Sequence, residues 1–355
     1  MVKEDEKLQR LLELTQKKLD KDDICADIYK PTDIGIASYI PHTISSGLAE
    51  LDLQLGGRGG LPAGRLIEYY GFEMSGKTTG ALHALAEVQK LGGIGLFIDA
   101  EHTFSPTRAK QCGVDLDRLQ VISAHSVESI FGGAEAFIEN IEAVKLNVPC
   151  LIVVDSVTGT HVESETDADF SKDQRVGHEA KQIRRGVKRL HGMLARTKIC
   201  CILINHAIAS NLTMAFGKKS QAAGGHGAKI MATIRIEFKN MGRIGKADSR
   251  EGQKIKMIIE KLKNAQLSQT EVADVNLKVN GFDQALSLIN AGVRTKWVTE
   301  KNKVYTLQVG EDERQFKLDE WPGIIDVLGG YDSVYQMWLT KAREDGYIQL
   351  WSEAW

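Results

Sequence analysis

"RLIEYYGFEMSGKTT", residues 65–79, runs from an apolar stretch through a glycine-bounded turn into a lysine and two threonines. Inside it "GFEMSGKT", Gly71 to Thr78, fits G-x-x-x-x-G-K-[ST]. The motif has meaning only between a strand and a helix. "RLIEYYG" (65–71) reads as a strand, and residues 76–91 read as a helix with Leu82, Leu85 and Val88 on one side. Gly71 and Gly76 let the backbone wrap close to phosphates, while loop N–H groups and the helix N-terminus offer positive potential. The expected nucleotide-binding segment is therefore Gly71, Phe72, Glu73, Met74, Ser75, Gly76, Lys77, Thr78 and Thr79. Lys77 would pair with the β- and γ-phosphates of a nucleoside triphosphate, and Thr78 would ligate Mg²⁺. A glycine-rich turn matching by chance is the competing reading, and the strand–helix context opposes it.

Working outward, "IGLFIDA" (94–100), "PCLIVVDS" (149–156) and "ICCILINH" (199–206) are further buried strands separated by helical segments. Near-continuous apolar strands alternating with helices indicate a mostly parallel α/β sheet covered on both faces. Two β-rich runs follow, "ATIRIEF" (232–238) and "KIKMIIE" (254–260). After about residue 270 the texture changes to short helical and strand pieces with late tryptophans. The expected organisation is an N-terminal helical segment (1–42), an α/β core with the phosphate site (43–270) and a small C-terminal α/β domain (271–355). Leu8, Leu11, Leu12 and Leu19 give residues 4–20 a helical spacing. A lone helix that short is marginal, which suits an element packed on a neighbouring subunit or a frayed end.

Composition narrows the class. The 355 residues are 43% hydrophobic and 26% charged, with 34 glycines and 6 prolines, ordinary values for a globular chain. No apolar run approaches the ~20 residues of a membrane span, and "MVKEDEKLQRLLELTQKKLD" lacks a secretory pattern. The five cysteines (Cys25, Cys112, Cys150, Cys200, Cys201) have no metal-ligand spacing, and "ICCILI" reads as buried thiols of a reducing compartment. A cytoplasmic protein is expected. With a net charge of −2, any polyanion must be met by a local basic surface.

Two acids sharpen the phosphate site. Asp155 ends "LIVVD", where a carboxylate reaches the metal or its water, or else caps the strand. Glu101 follows "GLFIDA" and could orient or deprotonate a water attacking the γ-phosphate; alone it would be an ordinary loop acid. Both fall at the sheet edge where open α/β folds bind ligands.

Residues 177–195, "GHEAKQIRRGVKRLHGMLA", place Lys181, Arg184, Arg185, Lys188 and Arg189 on one helical face, with Ile183, Val187, Leu190 and Leu194 opposite. A charge stripe is usually a solvated surface. Cations with little compensating acid repel by a few tenths of a kcal/mol per pair, which a nucleic-acid backbone would relieve. Two polar, aperiodic segments follow core strands, 161–176 and 207–225, and would suit a groove that tracks a strand of nucleic acid.

These stretches together resemble the RecA-type homologous recombinases. The similarity runs from about residue 43 to at least 300. It is carried by "SSGLAELDLQLGGRGGLPAGRLIEYYGFEMSGKTT", "DAEHTFSPTRAKQCGVDLDRL", "LIVVDSV" and "LINHAIASNLTMAFGKKSQAAGGHGAKIMATIRIEF", in order. The resemblance implies an ATP-dependent filament on single-stranded DNA that pairs with homologous double-stranded DNA and exchanges strands. It implies partners in further copies of the chain and in mediator and single-strand-binding proteins. By position it makes Glu101 the catalytic base, and sets Lys181, Arg184 and Lys188 towards the DNA backbone. Gly224 and Gly225 become phosphate-contacting amides. Lys261 and Lys263 become candidates to sense ATP on the adjacent subunit, against the reading of a solvated strand end. Residues 207–225 become a DNA-facing loop, with Ile208, Leu212 or Phe216 to wedge between bases. His206 stands where many relatives sense the γ-phosphate with glutamine; some phage recombinases also have histidine.

Arg108 departs from the family pattern, standing where an aromatic commonly meets the adenine; a guanidinium can stack there too. No strongly acidic tail follows "YIQLWSEAW". These departures fit a divergent member of the kind phages encode. A hexameric RecA-fold helicase would usually carry a separate N-terminal domain, more than the forty residues found before the core. An ATP-switched DNA-binding assembly with little turnover is opposed by Glu101.

Overall fold

The computed structural model describes residues 2–21, 42–55, 59–158, 175–209, 220–222, 226–245, 251–263, 272–310 and 312–348. Helix α1 (Val2–Lys21) comes first, with Leu11 and Leu14 59% and 52% exposed. Next are β1 (Thr43–Ile44), α2 (Ala49–Gln54), β2 (Leu61–Pro62), β3 (Leu66–Gly71) and α3 (Lys77–Lys90). Then come β4 (Ile94–Asp99), α4 (Pro106–Gln111), β5 (Leu119–Ser123), α5 (Val127–Ala143), β6 (Cys150–Asp155) and α6 (Arg175–Leu194). β7 (Ile199–Ala209), β8 (Ser220–Ala222), α7 (His226–Met231), β9 (Ile234–Ile244) and β10 (Gly252–Leu262) follow. The remaining elements are β11 (Val272–Lys278), β12 (Gly281–Phe282), α8 (Gln284–Arg294), β13 (Val298–Lys301), β14 (Val304–Val309), β15 (Asp312–Phe316), α9 (Trp321–Val327) and α10 (Tyr331–Glu344).

The central sheet runs β12-β11-β10-β9-β3-β7-β6-β4-β5. From β9 to β5 neighbouring strands are parallel; β10, β11 and β12 extend the sheet antiparallel beyond β9. This is the parallel α/β core expected from the apolar runs, whose strands β3 and β6 are buried along their whole length. One face packs Ile67, Tyr69, Val153 and Ile202 against α3 residues such as Leu82, Leu85 and Val88. The other packs Ile98, Ile152 and Leu203 against Phe131, Phe137, Ile183, Val187, Leu190 and Leu194 of α5 and α6. Where those two helices cross, a Cβ on Gly186 would meet the Phe131 ring at 2.2 Å, so glycine sets their close approach.

Two boundaries differ from the sequence reading. β7 continues to Ala209, and Ala207, Ile208 and Ala209 pair antiparallel with Ala222, Gln221 and Ser220, so residues 207–209 and 220–222 of the stretch expected as loop form a ribbon. Small side chains tolerate that pairing but give no alternating pattern to read. The sheet also runs past residue 270, since β11 pairs with β10 over residues 272–277. Beyond it, α8 to α10 and the sheet β13-β14-β15 enclose a core around Leu288, Trp321 and Trp338. That unit docks on α2. Buried Glu50 accepts from Asn290 Nδ2 at 3.0 Å and Arg294 Nε at 2.9 Å, and Asp52 accepts from the Tyr335 hydroxyl at 3.0 Å. Burial pushes the Asp52 carboxyl up to about 7. No described helix is long and apolar enough to cross a membrane.

Candidate active site

Parallel register sets the site. Gly71 at the end of β3 lies beside His206 of β7, and Asp99 at the end of β4 lies beside Asp155 of β6. Register thus brings the side chains of Asp99, Asp155 and His206 to the edge where β3 ends at Gly71, and α3 starts from that edge at Lys77. Gly76 adopts φ +90°, and a Cβ there would stand 2.9 Å from Phe282; a Cβ on Gly71 would stand 2.3 Å from the Phe238 carbonyl oxygen. The turn between them tolerates no side chain at either position.

Within that turn, Lys77 Nζ donates to the carbonyls of Gly71 (3.0 Å) and Phe72 (2.9 Å). Burial lowers its pKa, against the pull of Asp155, Glu101 and Glu73. Thr78 Oγ1 donates to Asp155 Oδ2 at 2.6 Å. Asp155 is buried, and desolvation raises its carboxyl to about 6 despite that bond. The peptide bond from Asp155 to Ser156 is cis. Two features fit a triphosphate with its metal. Ser75 Oγ is buried in the turn without a hydrogen-bond partner among the described residues, and Thr78 and Asp155 present hard oxygen donors together, the type Mg²⁺ takes.

Glu101 reaches the same corner because its N–H and that of Ala100 both donate to the Asp155 carbonyl, at 3.3 and 2.8 Å. Its Oε1 lies 2.5 Å from His206 Nε2. That bond holds the Glu101 carboxyl below the usual range and raises the His206 imidazole. A carboxylate kept ionised in this way orients a water by hydrogen bonding more than by basic strength. Sequence reasoning placed these two residues separately; register brings them into contact.

Asp99 was not singled out from sequence. It accepts from the N–H groups of Thr103 (3.0 Å) and Phe104 (3.0 Å), fixing the turn that carries Glu101. An acid closing an apolar strand two residues before Glu101 was the available signal. Arg108, on α4, reaches the Val279 carbonyl and Thr79 Oγ1 (3.3 Å), so it spans from α3 to the β11–β12 turn. Lys261 and Lys263 lie elsewhere. Lys261 pairs with Arg235 and Arg235 with Glu68, which puts Lys261 about 10 Å short of Gly71 along the strands, and Lys263 lies further still. Their Nζ atoms bond to carbonyls of α7: Lys261 to Lys229 (2.6 Å) and Ile230 (2.9 Å), Lys263 to Ile230 (3.2 Å).

On α6, Lys181, Arg184, Arg185, Lys188 and Arg189 are all exposed, and the four apolar residues opposite are buried. Arg189 has an acid after all: its Nε lies 2.9 Å from Glu135 Oε1 of α5, a neighbour remote in sequence. Among the described residues the other four face no carboxylate within ion-pair distance. Leu212, Phe216, Gly224 and Gly225 fall outside the described residues, as do residues 161–174 and the side chain of Ile208.

Comparison with known proteins places the chain in a family. The family profile described as "RecA N-terminal domain" matches residues 12–280. "Protein RecA" of Acholeplasma laidlawii is 32% identical over 91% of this chain and 96% of its own length. "Protein RecA" of Rhodopirellula baltica is 34% identical over 80% and 75%, and that of Cytophaga hutchinsonii 35% over 74% and 71%. The chain belongs to the RecA family, recombination- and repair-associated NTPases.

Proposed function

We propose that this RecA-family chain is a DNA-dependent ATPase that forms helical filaments on single-stranded DNA and promotes homologous pairing and strand exchange, working in the cytoplasm. The observation that carries the reading is one corner, Lys77, Thr78, Asp155, Glu101 and His206, on the same chain as the cationic face of α6, where among the described residues only Arg189 has an acidic partner.

In this reading the turn amides and Lys77 bind the ATP phosphates. Thr78, and Asp155 through water, would hold Mg²⁺, which would supply charge neutralisation. Glu101 orients the attacking water, and His206 responds to the terminal phosphate because the same ring holds Glu101. Phe72, Glu73, Met74, Ser75 and Thr79 line the nucleotide, with Arg108 beside the base. Lys181, Arg184, Arg185 and Lys188 take DNA phosphates, while Ile208, Leu212 and Phe216 contact bases and Gly224 and Gly225 offer amides. Lys261 and Lys263 meet the ATP of the next subunit. Mediator and single-strand-binding proteins are further partners.

The test is the steady-state rate of ATP hydrolysis with and without single-stranded DNA. The reading expects DNA to raise the rate, and to do so less as salt increases, because backbone contacts release counterions. A rate indifferent to DNA would overturn it.

A further inference from the structure

On the sheet face over β3, β9 and β10 lies a run of buried polar side chains outside the site above. Glu68 of β3 is bonded by Nε of Arg235, its register partner on β9. Arg235 Nη1 donates to Glu260 Oε2 of β10 at 3.1 Å, and its guanidinium lies 4.7 Å from the centre of the Tyr70 ring. Burial raises the Tyr70 hydroxyl pKa, and the neighbouring Glu260 raises it further. Asn205 of β7 donates through Nδ2 to Glu68 Oε1 at 3.0 Å and accepts from Thr158 Oγ1 at 3.3 Å. An apolar cluster would join these strands with less desolvation, so stability alone does not account for the run.

Its two ends are informative. Asn205 immediately precedes His206, whose ring holds Glu101. Glu260 immediately precedes Lys261, and the register between them is irregular: Ile259 pairs with Ile236, and Lys261 with Arg235. Glu260 is thus the extra residue of a β-bulge, a device that re-aims side chains. Ile255, Met257 and Ile259 alternate into the α3-side core, and Leu262 re-enters it. The bulge therefore sets Glu260 and Lys261 in succession on the opposite face. Glu260 turns inward to Arg235, and Lys261 bonds the carbonyls of α7, which packs on α6 so closely that a Cβ on Gly227 would stand 3.0 Å from Arg184 Cα.

We propose that Arg235 is a positioning residue. With Glu68, Asn205 and Glu260 it fixes the end of β7 that carries His206 and the bulge of β10 that carries Lys261 as one unit. The state of the Glu101–His206 pair is thereby coupled to the lysines that hold α7.

Arg235 variants would take the guanidinium away from two carboxylates, Glu68 and Glu260, and endanger folding. The test therefore uses Glu260→Gln, Thr158→Val and their combination in the full chain. ATP hydrolysis is measured with single-stranded DNA across ATP concentrations, and urea unfolding is measured alongside; the kinetic arm rests on the proposed ATPase reading. Glu260→Gln is expected to lower DNA-stimulated kcat about tenfold, an ordinary coupling magnitude, with KM for ATP and the unfolding midpoint near wild type. Thr158→Val should lower it less, and the double variant no further than Glu260→Gln. Effects that multiply in the double variant, or unchanged rates, or a kcat that falls only in step with stability, would overturn the proposal. If the wild type shows no DNA-stimulated hydrolysis, it is the ATPase reading that fails. The same four proteins then decide the coupling by their unfolding free energies: non-additive supports it, additive overturns it.

Discussion

The nucleotide corner and the cationic face of α6 are built on opposite plans. In the corner the functional side chains are tied across long stretches of sequence, Thr78 to Asp155 across 77 residues and Glu101 to His206 across 105, while Lys77 bonds backbone carbonyls of its own turn. On α6 the cations come from a single helix and stand apart in solvent, Arg189 excepted. Strand register assembles the first, and helical periodicity the second. A site assembled by register depends on each member; a surface assembled by periodicity loses function in proportion to the charge removed.

That contrast can be broken or sharpened by substitution. Glu101→Gln should bring the largest change, with ATP hydrolysis falling about 10²- to 10⁴-fold while ATP binding persists, since it removes the carboxylate that orients the water. Undiminished hydrolysis would take the chemistry away from the corner. Lys77→Ala should lower kcat/KM for ATP by about 10²- to 10³-fold, the usual effect of removing one preorganised donor. Replacing Lys181, Arg184 and Lys188 by Gln together should act by degree. The slope of log affinity against log salt for single-stranded DNA should become shallower by about 2, from roughly 0.7 per phosphate contact. The melting temperature should not move, because all three are exposed. An unchanged slope would leave α6 a solvated helix. The smallest effect belongs to Arg189→Gln, whose partner Glu135 already holds its guanidinium: DNA affinity should change by no more than about twofold, and stability by less than about 1 kcal/mol.

The same contrast explains what could be read beforehand. Gly71 to Thr78 is a local pattern whose flanking strand and helix are also local, so fold and phosphate site followed from adjacent residues. The α6 face is likewise local in period, and its buried residues fell where spacing put them. Contacts made only by strand order were not legible. The Glu101–His206 bond requires β4 and β7 to be set either side of β6, and the Arg189–Glu135 pair requires α5 to lie against α6. Asp99 was missed because its work is done on backbone amides, which carry no sequence identity. The bulge at Glu260 was hidden for another reason: one inserted residue reads in sequence as an ordinary break in alternation.

The most direct test of the central claim is electron microscopy of the purified protein with single-stranded DNA, Mg²⁺ and a slowly hydrolysed ATP analogue. Extended helical filaments that require both DNA and nucleotide are the predicted result. Closed six-fold rings, or no assembly under those conditions, would contradict the account.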